Sequence, residues 1–247
     1  MEEILADLAS QHVQLDGVLA GLDEEDWFRP SACEGWNVAD VVVHITQTDE
    51  GAVASLEGRL PEGGLAGGGS PDVDDWAERM VVAARGTRGA EVLERWRSTG
   101  AALRAALAGA DPSDRVPWVA GRLSVRTLAT TRLAECWIHT GDVDAAFGRP
   151  REASPRLRHI ARLAWRTLPY AFERAGRQLA GPVAFELRGP DGERWDLVPP
   201  EEPRTVIRGD ALDLCLVAAR RVDPAATRLR ATGPDGAAVL ELVRTYA

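Results

Sequence analysis

Residues 131–139 have the sequence Thr-Arg-Leu-Ala-Glu-Cys-Trp-Ile-His, which places the carboxylate of Glu135 four residues before the imidazole of His139. Side chains at positions i and i+4 lie on the same face of an α-helix, so this pair can close on one ion. The surrounding residues, from about 125 to 147, show helical periodicity that ends at Gly148. The pair is therefore half of a metal site, or else an ordinary pair on a helix surface.

A further candidate ligand lies on an earlier predicted helix. His44 falls in the apolar run Val-Val-Val-His-Ile at residues 41–45, and a buried imidazole needs a partner. If the two helices are neighbours, His44 joins Glu135 and His139 in a set of two histidines and one carboxylate. Such a set leaves coordination positions open, as catalytic zinc sites do. The alternative is a hydrogen-bonded core histidine near an unrelated surface pair.

Each of these histidines has a carboxylate about one helical turn away. Asp40 precedes His44 by four residues, and Asp142 follows His139 by three. A carboxylate that accepts a hydrogen bond from one ring nitrogen orients the imidazole and leaves the other nitrogen for a metal. We therefore expect Asp40 and Asp142 to orient the two imidazoles. Asn37 and Asp40 also have the spacing of a capping box at the start of the second helix.

The chain is predicted to contain two domains. Apolar residues recur at helical spacing up to about residue 148, which indicates a four-helix bundle over residues 1–150. The helices are expected at about residues 4–21, 38–59, 72–109 and 125–147, and the third is either one long helix or two collinear pieces with a break at Gly86 and Gly89. Residues 151–247 are expected to form a small α+β domain, because a helix at 155–179 precedes short segments of alternating polarity and another helix is expected at 211–222. Residues 61–71, rich in Gly and Pro, predict a loop.

Composition excludes several classes of protein. With 247 residues, of which 45% are hydrophobic and 27% charged, the chain can bury a sizeable core. Its 38 acidic residues exceed its 29 cationic ones, a net charge of -9 that argues against a nucleic-acid partner. No apolar run is long enough for a membrane span or a signal peptide, so we expect a soluble, cytoplasmic protein. Three widely spaced cysteines provide neither a disulfide framework nor a CxxC metal site.

Other reactive residues are expected to lie outside the site. Cys33 has no neighbour in sequence that would lower the pKa of its thiol, so it is interpreted as a bystander. Cys136 points about 100° away from Glu135 around the helix, so we expect it to pack in the core. His12 and His159 lie on otherwise polar helix faces and are interpreted as surface histidines.

Residues 35–44 and 131–148 resemble the mycothiol-dependent maleylpyruvate isomerase family, which belongs to the DinB-like metalloprotein superfamily. The resemblance implies a DinB-like four-helix bundle followed by a small sterol-carrier-like α+β domain. It places the zinc ligands of the family on His44, Glu135 and His139. It also implies mycothiol as a thiol cosubstrate and a small-molecule substrate.

A zinc ion with an open position stabilises the anion of a bound thiol, which becomes a nucleophile at neutral pH. In the isomerase family the thiolate adds to a cis double bond, the bond rotates, and elimination gives the trans product. We therefore expect an enzyme that isomerises or conjugates a small electrophilic metabolite, as a monomer or homodimer. The alternatives are a mycothiol S-transferase, a binding protein with a structural metal, and, ranked lowest, a regulatory module.

The resemblance also points to arginines late in the chain. Arg220 and Arg221 fall where the family carries an arginine thought to bind an anionic cofactor or substrate, so both are cofactor-binding candidates and Arg220 a catalytic one. The chain departs from the family at Ala219, where a glycine is common. The alternative is a solvated helix end, where cations favour the helix dipole.

Overall fold

The structure is a computed structural model that describes residues 1–60, 73–119 and 121–245. The chain divides into two compact units, Met1–Arg151 and Glu152–Ala247. The first is mainly helical and the second mixes helices and strands, in agreement with the predicted fold class. The predicted loop at 61–71 lies outside the described residues. Within the described ranges, no helix is both long and apolar enough to cross a membrane.

Five α-helices and one hairpin form the described part of the first unit. Helices α1 to α5 span Glu2–Leu19, Val38–Leu56, Val73–Ala83, Gly89–Gly109 and Val125–Ala146. Helix α2 packs against α3, α4 and α5, and α1 packs against α4 and α5. The helices that carry His44 and Glu135, α2 and α5, are therefore neighbours, as the metal-site prediction requires.

The predicted capping box at the start of α2 is confirmed. The side-chain oxygen of Asn37 accepts a hydrogen bond from the backbone N–H of Asp40 at 2.8 Å, and the Asp40 carboxylate accepts one from the N–H of Asn37 at 3.2 Å. Beyond it, Val41, Val42 and Ile45 are almost completely buried. Helix α2 is thus anchored at its first turn and by its apolar residues, which determines where His44 lies.

The stretch at residues 72–109, predicted as one long helix or as two pieces with a break at Gly86 and Gly89, is two helices in the structure. The break contains Gly86, whose φ of +90° favours glycine. Helix α4 then starts at Gly89, where a Cβ atom would collide with the indole ring of Trp27. The start of α4 therefore depends on a residue without a side chain.

A two-stranded hairpin before α5 was not predicted. Strands β1, Arg115–Trp118, and β2, Gly121–Ser124, pair in antiparallel register. The Ser124 side chain then caps α5 by accepting a hydrogen bond from the N–H of Thr127 at 3.2 Å. Four-residue strands are too short for a clear alternation of polarity, so the sequence pattern did not reveal them.

The second unit contains a four-stranded sheet and four helices among the described residues. Strands β3 to β6 are Val183–Arg188, Arg194–Leu197, Thr205–Asp210 and Arg230–Thr232, in the order β4-β3-β5-β6. Strands β3 and β5 are parallel, while the other neighbouring pairs are antiparallel. Helices α6 to α9 are Leu157–Arg166, Leu168–Arg174, Ala211–Ala218 and Gly236–Leu242.

Two helices of this unit are shorter than the sequence predicts. The stretch 155–179 is interrupted at Thr167 and ends at Arg174 rather than continuing as one helix. Pro169 in the first turn of α7 lacks the N–H that a continuous helix would need. The helix predicted at 211–222 ends at Ala218, because Arg220 adopts a left-handed backbone with φ of +59°.

His12 was predicted to be a surface histidine, and this is wrong, because it is only 5% exposed. Its ring meets the edge of Trp96 with 5.6 Å between centroids, and Arg104 contacts its Nδ1 atom. Burial, together with the positive charges of Arg104 and Arg132, lowers the pKa of His12 to about 4. The helix face that carries His12 is therefore part of the interior despite its polar composition.

This burial predicts acid sensitivity. His12 takes up a proton near pH 6.5 in the unfolded chain but only near pH 4 in the folded one, so stability falls as the pH drops through this window. The shift corresponds to about 3 kcal/mol of unfolding free energy. His12→Gln, which can still accept a hydrogen bond from Arg104, should lose this part of the pH dependence in urea unfolding. His159→Gln is the control. If the free energy of unfolding changes with pH equally in the parent and in His12→Gln, the prediction is wrong.

Candidate metal centre

Helices α2 and α5 bring the three predicted ligands together. The Oε2 atom of Glu135 lies 3.6 Å from Nε2 of His139 and 3.9 Å from Nε2 of His44. The two imidazole rings are 5.0 Å apart between centroids and nearly perpendicular. One ligand atom from each residue lies within 4.8 Å of the other two. Two imidazole nitrogens and one carboxylate oxygen suit a catalytic zinc site.

Asp142 orients His139 as expected. Its Oδ2 atom is 3.0 Å from Nδ1 of His139, so the ring donates through Nδ1, and Nε2 is the nitrogen that faces Glu135. The other oxygen, Oδ1, accepts a hydrogen bond from Nη2 of Arg151 at 2.9 Å. The Asp142 side chain is completely buried, and the guanidinium of Arg151 packs over Gly141, where a Cβ would collide with it.

Cys33 contacts this cluster, so its interpretation as a bystander is wrong. Its thiol donates a hydrogen bond to Oδ2 of Asp142 over 3.1 Å, and Sγ lies 3.8 Å from Nδ1 of His139. The loop that carries it is attached to α5, because the N–H of Ala32 donates to the carbonyl of Asp142 at 3.2 Å. Cys33 is 109 residues from Asp142 in the chain, and no spacing pattern could have revealed this contact.

His44 is not oriented by Asp40, and that prediction is wrong. Asp40 is engaged by the capping box and by Arg85, whose Nε and Nη2 atoms donate to the two carboxylate oxygens at 3.3 and 3.2 Å. The buried Nδ1 of His44 has no hydrogen-bond partner within the part of the chain that the structure describes. The indole of Trp36 instead packs against the His44 ring, with 5.1 Å between centroids.

The three candidate ligands differ in charge state. Burial lowers the pKa of His44, so this ring is neutral and can offer a lone pair. For Glu135, burial opposes ionisation, but its contacts with His139 and His44 hold the pKa of the carboxyl well below the ordinary value. Burial likewise opposes protonation of His139, but Asp142, Cys33 and Glu135 raise its pKa well above the ordinary value. A metal at this centre therefore replaces a proton on His139.

Arg220 and Arg221 lie in the second unit. Arg220 is exposed and occupies the left-handed position that follows the end of α8. The N–H of Arg221 donates to the carbonyl of Leu216 at 2.9 Å, which closes the end of the helix in a Schellman motif. Glycine is the usual residue at the left-handed position, so Arg220 adopts an uncommon backbone there. The predicted roles of both arginines in binding and catalysis remain predictions.

Family models match both units of the chain. The model described as the mycothiol maleylpyruvate isomerase N-terminal domain matches residues 8–144. The model of the corresponding C-terminal domain matches residues 157–240. The three candidate metal ligands fall within the first match.

Whole-chain relatives and solved structures agree with these matches. Two uncharacterized proteins from different strains of Mycobacterium tuberculosis are each 32% identical over 248 residues, covering 98% of this chain and 95% of the relative. The crystal structure of the mycothiol-dependent maleylpyruvate isomerase has a TM-score of 0.65 at 17% identity and covers 94% of this chain and 92% of that one. The crystal structure of a histidine-to-alanine mutant of that isomerase has a TM-score of 0.64 at 17% identity, with 92% of each chain covered. At this identity the likeness shows a shared fold.

Proposed function

Because this chain belongs to the mycothiol maleylpyruvate isomerase family, we propose that it is a zinc-dependent enzyme that uses mycothiol to isomerise a small electrophilic metabolite. Family membership supports an enzyme of the thiol-dependent isomerase class. We further propose that the first unit is a DinB-like four-helix bundle and that the second is sterol-carrier-like.

The observation that carries the proposal is the convergence of His44, Glu135 and His139 from two neighbouring helices. The residues present fit a zinc ion. Two imidazoles and one carboxylate are a common catalytic ligand set, and Asp142 gives His139 the tautomer that leaves Nε2 for a metal. The buried Nδ1 of His44 has no hydrogen-bond partner among the described residues, which fits a ring held in place by a ligand at its other nitrogen.

When bound, the metal would supply a Lewis acid that favours the anionic form of a thiol sulfur. Glu135 contributes the negative charge that offsets part of the charge of the cation. Asp142, itself held by Arg151, prevents the His139 ring from rotating. The Trp36 ring packs against His44 in a tilted arrangement and adds an aromatic side chain to the lining of the site.

The proposal is tested by direct turnover. We expect zinc-loaded protein supplied with mycothiol and maleylpyruvate to form the trans isomer and to return the thiol unchanged. Liquid chromatography detects the product. Metal-free protein and protein without mycothiol are the controls, and both should be inactive.

Other outcomes distinguish the alternatives. A stable thiol adduct of the substrate, detected by mass spectrometry, would instead identify an S-transferase. If metal removal unfolds the protein and the zinc-loaded form has no turnover with any electrophile supplied, the metal is structural and the enzyme proposal is wrong.

A further inference from the structure

A buried ion pair lies beside the candidate metal centre. Arg132 is on α5, three residues before Glu135, and Asp49 is on α2, five residues after His44. Both side chains are only 3% exposed, and Nη1 of Arg132 is 3.4 Å from Oδ1 of Asp49. The pair thus joins the same two helices that supply the candidate ligands.

The guanidinium of Arg132 also contacts Glu135. Its Nη2 atom lies 3.9 Å from Oε2 of Glu135, the same oxygen that faces His44 and His139. Its Cζ atom lies 5.2 Å from the ring centre of Trp118, which supports the cation from another side. Arg132 is therefore held between two carboxylates, one of which is a candidate ligand.

Packing alone does not account for this arrangement. An apolar pair of similar volume stabilises a helix interface at least as well as a buried ion pair in many proteins. The hydrogen bonding here is also incomplete, since Nε of Arg132 and Oδ2 of Asp49 have no partner within the described ranges. An incompletely bonded buried charge next to a candidate ligand suggests a function at that ligand.

We propose that Arg132 and Asp49 are positioning residues of the metal centre. Arg132 holds the Glu135 carboxylate with Oε2 toward the imidazoles, and Asp49 neutralises Arg132 so that its charge does not repel the metal. The inference rests on the proposed function, because it needs a metal bound by Glu135. It adds two residues that contact neither metal nor substrate and that act through Glu135.

The matched pair of variants is Asp49→Asn and Glu50→Gln. Both remove one carboxylate from the same turn of α2, but the Glu50 side chain is 41% exposed and pairs with Arg95 at 2.7 Å. Cobalt(II) serves as the probe, because its visible spectrum reports ligand geometry and its affinity can be measured by competition with a coloured chelator. Buffer is chosen above the pKa of Asp49, which burial raises to about 7 against the opposing effect of Arg132.

We expect Asp49→Asn to weaken cobalt binding by about 10- to 100-fold, the range found for residues that support metal ligands, and Glu50→Gln to leave it unchanged. The double variant Asp49→Asn/Arg132→Gln should recover part of the affinity, since no unneutralised guanidinium remains. Its cobalt spectrum should still differ from that of the parent, because Glu135 has lost its neighbour.

Three results would overturn the inference. Parental affinity and spectrum in Asp49→Asn would show that the ion pair serves only folding. If circular dichroism shows that Asp49→Asn is unfolded, the double variant is measured instead. A cobalt affinity and spectrum equal to those of the parent would then show that the ion pair serves only folding. Absence of cobalt binding by the parent protein would instead refute the proposed metal centre, and this inference with it.

Discussion

Glu135→Ala should abolish stoichiometric metal binding and, with it, thiol-dependent turnover. The variant removes the only anionic group of the proposed ligand set and leaves two imidazoles, which offer no negative charge to offset that of the cation. We expect the metal affinity to fall by more than about 100-fold, beyond what loss of a supporting hydrogen bond costs. His44→Ala and His139→Ala should behave alike, since each removes one of three ligands.

Metal content is measured by elemental analysis after gel filtration, and folding by circular dichroism. Glu50→Ala is the matched control for Glu135→Ala, because Glu50 is a partly exposed glutamate on α2 that lies outside the proposed ligand set. His159→Ala in the second unit is the control for the histidines. About one equivalent of metal retained in all three site variants would remove the proposed centre and the zinc-dependent mechanism.

Asp142→Ala should cause the largest loss of stability among the variants around the site. The substitution removes the completely buried carboxylate that pairs with Arg151 and accepts hydrogen bonds from His139 and Cys33. Breaking a buried pair by deleting one partner costs about 3–5 kcal/mol of unfolding free energy, because the remaining charge stays buried. The metal affinity should also fall by about 10- to 100-fold.

Urea unfolding of the metal-free protein measures the stability effect, so that it is separated from the loss of bound metal. Asp16→Ala is the control, because Asp16 forms an exposed ion pair with Arg97 and should contribute less than about 1 kcal/mol. If Asp142→Ala unfolds at the same urea concentration as Asp16→Ala, the Asp142 cluster does not hold the site together.

Local patterns were sufficient to predict much of the helical unit. The capping box of Asn37 and Asp40, the i,i+4 relation of Glu135 and His139, and the switch to alternating polarity after residue 154 all depend on neighbours within about one turn or strand. The same locality caused the errors. Thr167 interrupts a stretch whose apolar periodicity continues across it, and β1 and β2 are too short to show a period.

The amino-acid order alone indicated which residues can form a ligand set: Glu135 and His139 lie four positions apart on one face of a predicted helix, and His44 lies in an apolar run of another. Only the tertiary structure decided what surrounds them. Cys33, which was interpreted as a bystander, contacts Asp142. Asp40 binds Arg85 and caps its own helix, and Asp49 pairs with Arg132. The physical reason is distance along the chain. These contacts join residues 109, 45 and 83 positions apart, and such contacts arise from packing between helices, which periodicity within one helix does not encode.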